Sequence, residues 1–121
     1  MTRARRDGGM ATAELAVALP AVVLVIAAGM SAVSVMTAQL RCVDAAREAA
    51  RAAARGENQT VVRSVAGQSG PVGAAVVVGG DAGSVTVTVS AETRTGGGLL
   101  PSFRVEATAV ARREPEGDGG P

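Results

Sequence analysis

Residues Gly8 to Arg55 read GGMATAELAVALPAVVLVIAAGMSAVSVMTAQLRCVDAAREAARAAAR. The stretch opens on two glycines and one acid, Glu14, and carries no charge from Leu15 to Leu40. Its most apolar part, Leu15 to Met36, is about 33 Å long as a helix at roughly 1.5 Å per residue. That matches a hydrocarbon layer of about 30 Å, and the pattern predicts a membrane-spanning helix. A carboxylate at the mouth of such a helix is costly unless it has a partner or a task, so Glu14 is the first candidate functional residue.

Working outward toward the C-terminus, Met36, Leu40, Val43, Ala46, Ala50 and Ala53 or Ala54 recur at helical steps. They define an amphipathic continuation made of strong helix formers, with Gly56 as its stop. One helix from Thr12 to Arg55 is expected, near 66 Å long. Its outer half offers mostly methyl groups, so it needs a close-packed partner, either this chain's own sheet or another subunit. Arg47, Arg51 and Arg55, offset by Asp44 and Glu48, predict a solvated, salt-bridged face. Lipid phosphate and an acidic subunit are the other partners open to them. Pro20 removes a backbone donor within the span, so a kink is expected there. The kink is either harmless or a flexible point for leaving the bilayer. Ala28, Gly29 and Ala32 are candidates for close helix packing, although the abundance of alanine accounts for them equally well. Cys42 reads as a small apolar residue, with an intermolecular disulfide as the alternative in an oxidising compartment.

Beyond the helix, Asn58 suits an N-cap better than a glycosylation site, and Val61, Val62, Val65 and Ala66 suit a short second helix ending near Gly67. After a turn-rich break at Gln68 to Gly73, an apolar run covers Ala74 to Val78, and Gly79 to Gly83 is turn chemistry. Ser84 to Glu92 alternates, with Val85, Val87, Val89 and Ala91 on one face. A loop through Gly96, Gly97, Gly98 and Pro101 follows, and then Phe103 to Ala111 alternates with Phe103, Val105, Ala107 and Ala109 inward. These runs predict a three-stranded antiparallel sheet with one apolar face, and Arg112 to Pro121 is expected to be disordered. The fold class is α+β: a long N-terminal transmembrane helix continuing into an amphipathic helix, then a short helix and the small sheet.

Composition limits the function. A chain of 121 residues holds one domain at most, and its outer portion has a marginal core. A net charge of +1 with Phe103 as the sole aromatic residue gives no platform for nucleic acid. The absence of His removes the usual imidazole base and metal ligand. The absence of Lys removes a Walker A loop, so the glycine clusters are loops. The single Cys permits neither an internal disulfide nor a thiolate zinc cage. No enzyme, cofactor, metal or small-molecule substrate is expected.

Toward the N-terminus, Met1 to Gly9 is a short basic leader with Arg3, Arg5 and Arg6 against Asp7. It fits a secretory signal, the stub of a single-pass anchor, or a prepilin leader. Gly9 precedes Met10, and Glu14 stands five residues after Gly9, which resembles the site where a type IV prepilin is cut after glycine. The run ATAELAVALP, the Val/Leu segment and QLRCVDAAREAARAAARGE are similar to the TadE family of minor pilin-like proteins of tight-adherence pili, over Gly9 to Glu57. Met10 replaces a common phenylalanine and Leu15 stands where small major pilins carry tyrosine. Both departures point to a minor subunit.

The resemblance implies a minor pilin or pseudopilin, cleaved by a prepilin peptidase between Gly9 and Met10. Glu14 would then pair with the new amine of a neighbouring subunit and fix the register. It implies a leader at 1–9, a pilin-like helix at 10–56, an extracytoplasmic head at 57–111 and a tail at 112–121. The implied partners are other pilin subunits, the Tad/Flp assembly machinery, the peptidase and membrane lipid. The implied location is the inner membrane, with one span and the head outside, from which the subunit enters a pilus. This orientation comes from the resemblance alone, because Arg41, Arg47, Arg51 and Arg55 outnumber the leader's arginines. The rival reading is an uncleaved single-pass scaffold or binding module of a secretion system.

Overall fold

The computed structural model describes residues 2–115, with side chains from residue 7 onward. Its elements run α1 (Thr2–Ala54), α2 (Gln59–Ser69), β1 (Ala75–Gly80), β2 (Ser84–Thr93), a single 3-10 turn at Gly96–Gly98, and β3 (Phe103–Arg112). The expected α+β architecture is present. α1 begins ten residues before the expected Thr12 and takes in most of the basic segment before Met10, because nothing between Arg3 and Thr12 except two glycines opposes helix. It also runs through Pro20 without a break in its assignment. Gly56, at φ +83°, ends it, with the amides of Gly56 and Glu57 returning to the carbonyls of Ala53 and Ala52. That is the left-handed stop a glycine supplies without a Cβ penalty.

Asn58 caps α2 by accepting from the Val61 amide at 3.0 Å, and α2 folds back along α1 until Ser69 donates to the Glu48 carboxylate. The strands form an antiparallel meander in the order β1-β2-β3. Val78 pairs with Val87 across the first ladder, and Val89 with Ala107 across the second. At the β1–β2 turn, Gly80 has φ +122°, and a Cβ there would meet the Ser84 carbonyl oxygen at 2.3 Å, so glycine is required. Asp81 then accepts from the amides of Gly83 and Ser84 at 2.9 and 2.8 Å.

The core lies between the outer half of α1 and one face of the sheet. Val85, Val87, Val89, Ala91 and Val105 bury against Cys42, Ala45, Ala46, Ala49 and Ala50, with Val62 and Ala66 of α2 closing one side. The inward face of β2 is the one its alternation predicts. The predicted face of α1 is right in its outer part, where Ala46, Ala50 and Ala54 are buried, but Met36 and Leu40 lie outside the seam, 66% and 64% exposed. Alanine and cysteine take the seam because the helix lies close to the sheet. Leu or Met there would hold the two layers apart.

Phe103, expected inward, is half-exposed at the sheet's lower edge, and the inward series of β3 is Val105, Ala107, Ala109 and Ala111. The predicted ion pairs of Arg47 and Arg51 with Asp44 and Glu48 do not form. Among the described residues, the salt bridges are Arg55–Glu57 at 2.8 Å and Arg104–Glu106 at 3.9 Å. The tail is ordered further than expected. Arg112 completes β3, and the amides of Arg113 and Glu114 reach the carbonyls of Gly83 and Ala54. The rest of that expected disorder, 116–121, lies outside the described residues.

Candidate functional site

The first half of α1 stands clear of the head. Met10, Leu15, Val17, Leu19 and every residue from Val22 to Ile26 are more than half exposed, Val25 at 72%. A soluble protein does not leave a continuous apolar surface of this kind uncovered. A core helix of equal hydropathy would be buried, and this one is not. By length and composition it can cross a membrane.

Glu14 sits on this rod one turn after Met10. The two share a face with Ala13, Val17, Ala18 and Ala21, which together line a shallow apolar hollow. Glu14 has no salt-bridge partner among the described residues. Gly8 and Gly9 are exposed, with open space where a Cβ would stand. Thr12 folds its hydroxyl back onto the Gly8 carbonyl at 2.8 Å. The structure therefore brings Gly9, Met10 and Glu14 within two helical turns, all reachable from outside.

The other sequence-derived candidates separate. Pro20 lies within the exposed span. Gly29 faces outward with nothing near it. Ala28 and Ala32 line a groove whose opposite wall is Leu100, Pro101 and Phe103 of this same chain. Cys42 is fully buried in the seam, so it serves as a small core residue and has no surface for a disulfide in this fold. The Leu99–Phe103 segment itself was read only as a loop and a strand start. Its signal was a pair of leucines in a glycine-rich connection, where solvent-facing loops carry polar residues.

Among the described residues there is no group of three or more His, Cys, Asp and Glu able to hold a metal. What the arrangement offers is an exposed apolar rod with one acid near its entry, bearing a small packed head. It is that of a membrane protein with one N-terminal span.

The family described as TadE-like protein matches residues 9–51. Apoptosis inhibitor Rv3655c of Mycobacterium tuberculosis is 40% identical over 105 residues, covering 84% of this chain and 78% of that protein. This chain belongs to the TadE-like family, a structural, pilus-associated family and not an enzymatic one. No solved structure matches it.

Proposed function

We propose that the chain is a minor pilin or pseudopilin of a Tad-type pilus, made as a precursor and cut between Gly9 and Met10 by a prepilin peptidase. The observation that carries this reading is the placement of Gly9 and Glu14 at the entry of an uncovered apolar helix, where the family match also begins. In this reading 1–9 is the leader, 10–56 the stalk and 57–111 the head, which stands outside the cytoplasm. Cutting after Gly9 exposes an amine whose unperturbed pKa is about 7.7–8.0, cationic at neutral pH. Packed among apolar helices, that charge needs a counter-ion. Glu14 of an adjoining subunit supplies it and sets the axial register between subunits. Exposed small residues of the stalk, Gly29 among them, favour close approach of neighbouring helices.

The test is the intact mass of the chain made in a host with a prepilin peptidase. Loss of residues 1–9 is expected, and substitution of Gly9 is expected to prevent it. Because Gly9 has open space around it, Gly9→Leu changes no packing, and its effect reports recognition by the peptidase. A full-length chain in such cells overturns the reading. It would favour the uncleaved scaffold, which the continuity of α1 from Thr2 through the leader also suits.

A further inference from the structure

We propose that the Gly96–Phe103 segment of the head is a membrane-seated loop, its backbone at the interface and its Leu99 and Phe103 side chains dipping into the upper acyl region of the leaflet on the head's side. The proposal rests on the reading of α1 as a membrane span. Leu100, Pro101 and Phe103 form one wall of an open apolar groove whose other wall is Ala28, Ser31, Ala32, Val35 and Met36. All of those positions lie inside the run from Leu15 to Leu40 that carries no charge. If that run crosses the bilayer, the fold holds the loop beside the outer end of the span. Leu99 is 94% exposed and Phe103 50%, surface that suits lipid and is unfavourable in water.

Part of the loop's backbone is satisfied from within. Irregular backbone does not stand exposed in the hydrocarbon layer, so the side chains enter it while the backbone stays at the interface. Here the amide of Gly98 donates to Thr95 and that of Leu99 to Gly96, at 3.2 and 3.1 Å. Pro101 has no amide hydrogen to satisfy, and its carbonyl accepts from the buried Thr95 hydroxyl at 2.8 Å. Gly96, at φ +60°, lets Leu100 close over the turn, since a Cβ there would lie 2.9 Å from Leu100 Cγ.

Charge begins directly beside the loop, as at a membrane interface. Arg41, Glu92 and Arg94 line one depression with Val33, Ser34 and Thr37 beside the loop, and Glu92 and Arg104 line the next. Arg41 is five residues beyond Met36, about 8 Å along the axis. The headgroup layer outside the hydrocarbon is about 5–8 Å deep. Arg41 thus stands at phosphate level when the side chains of Leu99 and Phe103 reach the upper acyl chains. With no Trp or Tyr in the chain, this segment takes the place of the aromatic anchors usual at the interface.

The lack of Trp and Tyr makes single-tryptophan probes clean. Leu99→Trp, Ala82→Trp and Val25→Trp would each be placed in the full chain, reconstituted in phosphatidylcholine–phosphatidylglycerol vesicles with or without lipids brominated high or low on the acyl chain. Ala82 lies beside Ala53 to Gly56 at the far end of the head. Expected are blue-shifted emission and loss of intensity for Leu99→Trp with the high bromines, strong quenching for Val25→Trp, and neither effect for Ala82→Trp. If Val25→Trp is quenched while Leu99→Trp emits as in water, or shifts to the blue without quenching because protein covers it, the loop proposal is overturned and the span stands. If neither is quenched, the span fails and the loop with it.

Discussion

The side-chain amide of Gln39 donates to the main-chain carbonyl of Glu106 at 2.8 Å, joining the end of the uncharged run of α1 to β3. β3 is an edge strand, and an edge strand has polar backbone groups with no strand to pair with. Gln39 satisfies one of them from the helix.

Gln39→Met keeps the side chain's volume and removes the donor. The loss expected is about 0.5–1.5 kcal/mol, the net worth of one such bond. It would be read as a lower denaturation midpoint of the full chain in detergent micelles. An unchanged midpoint would mean that water replaces the amide at no cost.

The alanine seam makes a stronger claim. Ala49 is fully buried in the cluster that packs α1 on the sheet. Ala49→Leu forces the layers apart and is expected to destabilise the head by about 1–3 kcal/mol. Leu40→Ala removes a side chain that is 64% exposed, and its effect on the same transition is expected to stay within about 0.5 kcal/mol. The reverse order would place the core on the larger residues.

That contrast also separates what was legible in the sequence from what was not. The strands declared themselves because β2 alternates Val with Thr and Ser, and period two leaves one possible inner face. The N-cap Asn58 and the stop at Gly56 are local chemistry and are equally readable. The seam of α1 is legible only in its outer part, at Ala46 and Ala50, because hydrophobic size does not mark the buried side at Met36 and Leu40. From Ala38 to Ala54 nearly every second residue is alanine, so periodicity is degenerate, and the distance to the sheet chooses the face. Phe103 shows the same limit: its parity in β3 is right, but whether a strand end is covered depends on where the loop lands on α1. At the candidate site, Gly9, Met10 and Glu14 were readable because they are close in sequence. The loop at Leu99–Phe103 meets Ala28–Met36 only through the fold.

The β1–β2 turn predicts a pH response. Hydrogen bonds from the backbone amides of Gly83 and Ser84, then from the Ser84 hydroxyl, hold the Asp81 carboxyl below its ordinary value of 3.8, with Arg113 adding a smaller effect. A carboxylate favoured in the fold stabilises it above the ordinary value, and that stabilisation is lost as pH falls through the lower folded value. Amide exchange at Gly83 and Ser84 should therefore lose protection in acid beyond the catalytic effect of pH. Asp81→Asn retains one acceptor oxygen and should flatten this dependence. If the variant loses protection in acid as the parent does, Asp81 is not its source.

Glu14 carries the sharpest prediction for assembly. It stands one turn from Met10 on an exposed face and has no salt-bridge partner among the described residues, so its substitution breaks no ion pair of the head or stalk. Within a packed array of apolar helices, a cationic amine left without its carboxylate costs about 3–5 kcal/mol, enough to exclude the subunit. Glu14→Gln keeps shape and hydrogen bonding and loses only the charge. The expected result is a chain cut normally between Gly9 and Met10, retained in the membrane, and missing from sheared pili. Normal amounts of Glu14→Gln subunit in the pilus fraction would show that the acid does not pair with the amine. Failure of cleavage would assign Glu14 to peptidase recognition instead.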